Sequence, residues 1–388
     1  MKLLIYSHFF APSIGGVETI VLSLARGLSE LRDAKGAPEF ETTLATQTPA
    51  GNYDDSKLPF RVVREPGIFQ LWQLIRTSDL VHAAGPALAP LLLTRLARKP
   101  VVVEHHGFQT ICPNGQLLIE PAGTPCPGHF MAGRYGECLR CNSGQGRFTS
   151  GKLWFFTFTR RLLCARAAAN ITPTQWLGEP LHLPRITAIP HGLDSGQTIS
   201  PRVPHSSTPV IAFMGRLVTT KGVPLLFHAA KILHDQNRCF ELLIIGDGPE
   251  RPALEQFARD SLMAVRFAGR LAGEELETAL AQAVAVVVPS LGGEVFGLVV
   301  AENMLRALPV VASDIGAFVE VLGGTGLTFR TGDVADLARA LSRVLDDAPF
   351  AASVGQRARE RALDFCSRSR MIEAHARVYQ EVRSGMKA

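Results

Sequence analysis

The chain has 388 residues, enough for about two domains of ordinary size. Hydrophobic residues make up 46% and charged residues 19%, which supports a large core and excludes wholesale disorder. The net charge of +5 suits an anionic small ligand or an anionic membrane surface; no basic run interleaved with aromatics argues for nucleic acid, and no apolar run approaches a membrane span.

The opening stretch, MKLLIYSHFFAPSIGG, carries one lysine and a short apolar run but no small-residue cleavage site. It reads as a first strand over Lys2–Tyr6, not as a secretory signal, so a cytoplasmic location with reduced thiols is expected. Gly15 and Gly16 then precede a helix running to about Arg32, with Val17, Ile20, Val21, Leu24 and Leu28 on one face. A Gly-Gly pair between strand and helix lets backbone amides approach a ligand with no Cβ in the way; the bland reading is a tight turn.

Strand-like runs follow at Thr42–Thr46, Arg61–Arg64, Leu80–His82 and Val101–Glu104, separated by helical patterns at Gln70–Thr77 and Ala87–Leu96. This alternation predicts a parallel, doubly wound sheet. His105, His106 and Gly107 close the Val101–Glu104 strand at a carboxyl end, where such sheets bind ligands, although a histidine there can equally be structural.

Residues 112–141 break the alternation with a Gly- and Pro-rich insertion that holds four of the seven cysteines. Cys138 and Cys141 have metal-knuckle spacing, and together with Cys112 and Cys126 they could hold one structural zinc that orders a loop lacking its own core. The rival is a set of free thiols or a redox pair, since the first two cysteines form no CxxC pair. From Gly151 to Arg166, aromatics followed by basic residues lie along a helix. It reads either as an amphipathic patch on an anionic membrane or as an ordinary helix packed under the insertion. The Ile171–Thr174 stretch opens another helix, Ile186–Ile189 reads as a strand, and residues 195–208, rich in Ser, Pro and Thr, read as an interdomain linker.

A second alternation begins at Val210–Met214, which ends in Gly215 and Arg216. Lys221 and Gly222 precede a helix from Val223 to His234. Glu241–Ile245 ends in a Gly246–Pro249 turn, and Val265–Phe267, Ala283–Val288 and Val310–Ala312 continue the sheet. Arg216 and Lys221 sit at a strand end in one loop and read either as neutralisers of a diphosphate or as solvated surface charges. The stretch Ser290–Pro309 follows the apolar run Ala283–Val288. Gly292, Gly293 and Gly297 punctuate it, and a helical pattern carries Leu298, Val299, Glu302 and Leu305. Glu294 lies in the loop and Glu302 about one and a half turns into the helix. Free amides at Val295, Phe296, Gly297 and Leu298 face the same space, and helix N-termini favour anions. An anion cradle beside two carboxylates suits a phosphorylated ligand that also carries sugar hydroxyls. The bland alternative is a core strand–helix unit with solvated glutamates.

Gly15-Gly16 with Glu18, His106-Gly107, Ile189 through Asp194, Gly215-Arg216 with Lys221-Gly222, Gly246 through Pro249, and Glu294-x7-Glu302 occur in that order. In this combination the chain resembles the retaining nucleotide-sugar glycosyltransferases of family four, whose GT-B fold has two Rossmann-like domains facing across a cleft. The resemblance implies that Arg216 and Lys221 bind the donor diphosphate, helped by the amide of Gly16. It further implies that Glu302 binds the ribose, that Glu294 and the amides of Val295 to Leu298 hold the sugar, and that His106 contacts the sugar from the other domain. The loop at Gly269, Arg270 and Leu271 would edge the base. The chain departs from the family pattern at Asn303 and at Ala307, where a glycine is usual, at Ala317, and at His191, where asparagine is frequent. No charged group is lost from the implied site.

Charge on the departing nucleoside diphosphate can be stabilised by Arg216, Lys221 and the helix amides without a metal cofactor, and no Asp-x-Asp follows a strand. A Rossmann oxidoreductase would need G-x-G-x-x-G, which is absent. A nucleotide-sugar epimerase of the same fold and a non-catalytic two-domain sugar-binding protein are the other readings weighed. The expected layout is an N-terminal acceptor-side domain over 1–194, the linker, a nucleotide-sugar domain over 209–366, and a terminal helix over 367–388 returning to the first domain. Expected partners are a nucleoside-diphosphate sugar, UDP- or GDP-linked, and a saccharide or lipid-linked acceptor, with peripheral contact at the inner face of the membrane.

Overall fold

A computed structural model describes the whole chain except Ile14, Pro121, residues 195–207 and residues 386–388, together with the side chains of Gln145 and Arg147. The expected linker therefore lies, apart from Thr208, outside the described residues. The chain divides into two compact units. The first comprises Met1–Leu117, Pro127–Asp194 and Cys366–Ala388; the second comprises Leu118–Cys126 and Ser195–Phe365.

The first unit begins with β1 (Lys2–Ser7), α1 (Gly16–Glu30), β2 (Glu41–Thr46), β3 (Arg61–Arg64), α2 (Ile68–Thr77), β4 (Leu80–Ala84), α3 (Leu88–Leu96) and β5 (Val101–Glu104). The insertion holds the two-stranded hairpin of β6 (Leu118–Ile119) and β7 (Thr124–Pro125), which groups with the second unit, and then α4 (Tyr135–Cys141). The first unit resumes with α5 (Arg147–Ala165), β8 (Ala169–Thr172), α6 (Gln175–Leu181) and β9 (Ile186–Ala188). Its seven strands run parallel in the order β3-β2-β1-β4-β5-β8-β9. β4 and β5 are buried along their whole length, as strands covered by helices on both faces must be, and this is why their sequences are apolar runs.

β8 lies where the sequence pattern reads as the approach to a helix. Its ANIT sequence offers Asn170 at a fully buried position. The amide is satisfied only in three dimensions. Its Nδ2 donates to the carbonyls of Cys164 and Pro184, and its Oδ1 lies 2.9 Å from His105 Nε2. A buried polar residue with distant partners leaves no trace in local periodicity.

The second unit contains β10 (Val210–Met214), α7 (Val223–Asp235), β11 (Glu241–Ile245), α8 (Arg251–Asp260), β12 (Val265–Gly269) and α9 (Gly273–Ala281). It continues with β13 (Ala283–Val288), α10 (Leu298–Leu305), β14 (Val310–Ser313), α11 (Gly316–Leu322), β15 (Leu327–Phe329), α12 (Val334–Asp346) and α13 (Ala348–Phe365). The sheet is parallel in the order β12-β11-β10-β13-β14-β15. Its core is built from Ile211, Phe213, Ile244 and Val287 on the strands against Phe227, Leu233 and Leu341 on α7 and α12. Burying each such side chain contributes about 1.5–3 kcal/mol. The chain winds outward from β10 to β12 and then returns to the other side of β10 as β13. The order therefore reverses between β10 and β13, the place where open α/β sheets bind ligands.

The last helix, α14 (Arg368–Gly385), belongs to the first unit and packs along α1. Arg368 Nε donates to Ser23 Oγ at 3.0 Å, and Ile372 fills the space that a side chain at Gly27 would need. Leu193 N donates to the Cys366 carbonyl at 2.9 Å, and Tyr379 is fully buried with an edge-to-face contact to Phe40. The helix α14 thus buries Met371, Ile372, Val378 and Tyr379 within the first unit.

Candidate active site

In the second unit the reversal point assembles the loops that follow β10 and β13. After β10 the chain turns through a 3₁₀ segment, Thr219–Lys221, into Gly222. Gly222 has φ +61°, and a Cβ there would collide with the carbonyl of Pro289, so only glycine lets the two loops meet. Leu291 N donates to the Thr220 carbonyl at 2.8 Å and closes the same seam. This approach brings Lys221 Nζ to 2.6 Å from Glu294 Oε1, and Ser290 Oγ donates to that oxygen at 2.8 Å. Lys221 and Glu294, which the sequence assigns to separate tasks, are thus direct partners and largely shielded from solvent.

Beside them, β10 and β11 end backbone to backbone. Gly215 N donates to the Ile245 carbonyl at 2.9 Å and Leu217 N to the Asp247 carbonyl at 3.0 Å. A Cβ on Gly246, whose φ is +132°, would strike the Gly215 carbonyl. Arg216 projects from this joint into solvent, and Arg270 is exposed just past the end of β12, two strands away. Gly297 caps α10 in the left-handed conformation at φ +88°, so Val295 and Phe296 lie in the loop ahead of it and Leu298 is the first helical residue. Glu302 is the fifth residue of α10 and is mostly buried. Burial pushes its carboxyl up; Arg306 pulls it down and Glu277 adds to the rise. Arg306 is itself committed to Glu277 at 2.7 Å. Glu302 is therefore a shielded carboxylate with Arg306 as its charged neighbour, suited to hydroxyl groups rather than to a phosphate.

The first unit carries Gly15, Gly16 and His106. Gly15 caps α1 in extended backbone beyond β1. His106 follows β5, two strands from β1, and stacks on His191 with ring centroids 5.3 Å apart. Its Nε2 lies 3.5 Å from a carboxylate oxygen of Glu104. Its neighbour His105 points elsewhere, to Asn170, and burial holds that imidazole down to about 4. Glu104, His82, His375 and Tyr379 complete a buried cluster around His106 that the sequence reading did not contain. A glutamate and two histidines at the ends of apolar strands were the available signal, since a buried strand has no use for a charge that lacks partners.

The four insertion cysteines do not converge. Cys126 leaves with the hairpin into the second unit, while Cys112, Cys138 and Cys141 remain in the first. The Cys112 thiol donates to Asn114 Oδ1 at 2.9 Å, and Asn114 Nδ2 stands 3.6 Å from Cys141 Sγ, so an asparagine separates two of the supposed ligands. Burial pushes the Cys112 thiol up. Among the described residues the one set of His, Cys, Asp and Glu donors within 4.8 Å of one another is Glu104, His106 and His191. Among the described residues no three of the four cysteine sulfurs lie within 4.8 Å of one another.

Two doubly wound parallel sheets, one with an arginine, a lysine and two glutamates at its reversal point, define a glycosyltransferase of the GT-B class. The solved structures agree on the fold. The Anabaena protein Alr3699/HepE in complex with UDP-glucose matches with a TM-score of 0.73 at 17% identity, over 98% of this chain and all of that one. Residues 14–197 match the model described as Glycosyltransferase Family 4, and residues 208–347 the model described as Glycosyl transferases group 1. A GDP-mannose-dependent monoacylated alpha-(1-6)-phosphatidylinositol monomannoside mannosyltransferase of Corynebacterium glutamicum is 30% identical over 380 residues, 91% of each chain. The chain belongs to glycosyltransferase family 4. Other relatives match in part. A 2-deoxystreptamine glucosyltransferase of Streptomyces kanamyceticus is 34% identical over 149 residues, 37% of this chain and 38% of its own length. The match to a glycogen synthase of Mycobacterium tuberculosis, at 32% identity, spans 60% of this chain and 56% of that one.

Proposed function

We propose that the protein transfers a sugar from a nucleoside-diphosphate sugar to a hydroxyl acceptor, with retention of anomeric configuration. The observation that carries this reading is the loop seam of the second unit, where Lys221 and Glu294 meet 2.6 Å apart beside the exposed Arg216. On binding, the donor diphosphate takes Lys221 from Glu294 and is met by Arg216 and the amides at the head of α10. The released Glu294 carboxylate accepts hydrogen bonds from the sugar. Charge that grows on the departing diphosphate is then stabilised by groups already in place. Glu302 accepts from the ribose hydroxyls and Arg270 edges the base; the first unit carries Gly16 and His106, which the resemblance assigns to the diphosphate and the sugar. Incubation with UDP- and GDP-linked sugars, with and without saccharide acceptors, tests the reading by proton NMR of the product anomer. An α-linked product from an α-linked donor is expected; an epimerised donor, formed without acceptor, contradicts transfer.

A lipid-linked acceptor is favoured by one surface. Phe148, Phe155 and Leu162 recur at seven-residue intervals on α5 and are exposed, as are Leu92 and Leu96 on the neighbouring α3. Arg95, Arg98, Lys99 and Arg166 line a cavity between these two helices. Apolar side chains rimmed by cations suit the interface of an anionic bilayer. Among the described residues no helix is long and apolar enough to cross a membrane. Flotation with vesicles rich in anionic lipid should carry the protein up. Failure to float, or equal flotation of the Phe155→Ser/Leu162→Ser variant, contradicts this assignment.

A further inference from the structure

Glu104, the last residue of β5, holds a fully buried carboxylate. Its Oε2 lies 3.2 Å from His82 Nε2, 3.5 Å from His106 Nε2 and 3.6 Å from His375 Nε2; its Oε1 lies 3.7 Å from His191 Nδ1. These groups come from β4, the segments after β5 and β9, and α14. Three imidazole nitrogens surround one oxygen, so the carboxylate itself is the hub. A buried carboxylate left uncompensated is strongly unfavourable, so a positive charge must stand in the cluster.

The second ring nitrogens identify it. His375 Nδ1 is 2.8 Å from the Met371 carbonyl, which can only accept, and His375 Nε2 faces a carboxylate, which also only accepts. Its Nδ1 therefore carries a proton, and the 3.6 Å approach of Nε2 to Glu104 makes His375 the ring best placed to carry the positive charge of the cluster. His82 Nδ1 instead meets the Tyr379 hydroxyl at 2.9 Å, a group that can donate. His82 can thus stand as a neutral ring that accepts at Nδ1 and turns its Nε2 toward Glu104 at 3.2 Å. Burial presses both His82 and His191 toward the neutral form. The remaining ring, His106, faces the same oxygen through Nε2.

We propose that Glu104, His375 and Tyr379 are positioning residues that hold His106 as the Nε2–H tautomer, leaving its Nδ1 as a hydrogen-bond acceptor. His375 and Tyr379 lie four residues apart on one face of α14, so the last helix of the chain acts on the sugar-facing histidine through Glu104. The inference rests on the reading of His106 as a sugar contact, but its first test does not need that reading.

Long-range ¹⁵N correlation spectra of histidine-labelled protein report each ring's tautomer. His106 should appear as Nε2–H in the parent and lose that preference in Glu104→Gln. In turnover, Glu104→Gln and His375→Gln should each lower kcat by about tenfold to a hundredfold with donor KM nearly unchanged, as loss of an orienting partner does. The double variant Glu104→Gln/His375→Gln restores neutrality and should be more active than His375→Gln alone. A folded Glu104→Gln with His106 unchanged in tautomer, or a double variant as impaired as the product of the singles, overturns the proposal. Should these variants fail to fold, Tyr379→Phe decides: His82 and His106 resonances shift if the network is coupled, and stay in place if it is not. A parent with no transferase activity whose His106 still changes in Glu104→Gln would refute the functional reading and leave the positioning intact.

Discussion

Ala307 carries the clearest cost of a single residue. It stands in the left-handed region at φ +55°, between α10 and β14, at a position where the resembling family usually has glycine. A Cβ in that region costs about 1–2 kcal/mol, against which glycine's greater freedom when unfolded must be set. Ala307→Gly should therefore raise stability by up to about 1 kcal/mol, read as a higher denaturant midpoint with an unchanged slope. A lower midpoint would contradict the assignment of strain. At this scale much was legible in the sequence. Arg216 and Lys221 were singled out from a loop at a strand end, Glu294 from the glycine loop after β13, and Glu302 from its place early in the helix that follows. The direct pairing of Lys221 with Glu294 was not, because it depends on a glycine allowing two loops to touch across the sheet.

Elements were legible in proportion to how locally their pattern is set. β5, β10, β11 and β13 keep the bounds read from their apolar runs, since a strand buried on both faces writes its burial into nearly every residue. β8 was missed because Asn170 is satisfied by distant partners. The cluster at the ends of β4 and β5 was missed for the same reason, since Glu104 draws partners from four separate segments. These buried groups make stability depend on pH in a fixed direction. Burial holds His191 down to about 3 and His105 to about 4, so the folded state keeps both neutral while the unfolded chain protonates them below about 6.5. Burial pushes the Glu104 carboxyl up, but the neighbouring imidazoles of His106 and His375 more than offset this and hold it well below the usual carboxylate range. Its contribution is present above about 4.5 and is lost below that. All three act in one sense, so stability should fall as the pH is lowered from 7 to 5, by about 2 kcal/mol for each of the two histidines. Melting curves across that range check this, and His191→Asn should flatten the dependence. A melting temperature independent of pH would contradict the buried neutral state.

For the whole molecule, the alternation of strands and helices announced two parallel sheets, and the last helix was expected to return to the first domain. Its resting place on α1 follows from Arg368, Ile372 and Tyr379, each of which finds its partner near the start of the chain. The insertion was the least legible part, because a Gly- and Pro-rich stretch with four cysteines constrains its own path weakly. The structure sends its hairpin to one unit and its helix to the other. The account as a whole turns on the second unit holding a nucleoside diphosphate at the reversal of its sheet. Isothermal titration calorimetry of the intact protein with UDP and with GDP tests this most directly. One of the two should bind, with affinity lowered at least about tenfold in Arg216→Ala/Lys221→Ala and in Glu302→Ala, as expected for lost hydrogen bonds to or from charged groups. Binding of neither nucleotide, or binding of one with unchanged affinity in all these variants, would contradict the account.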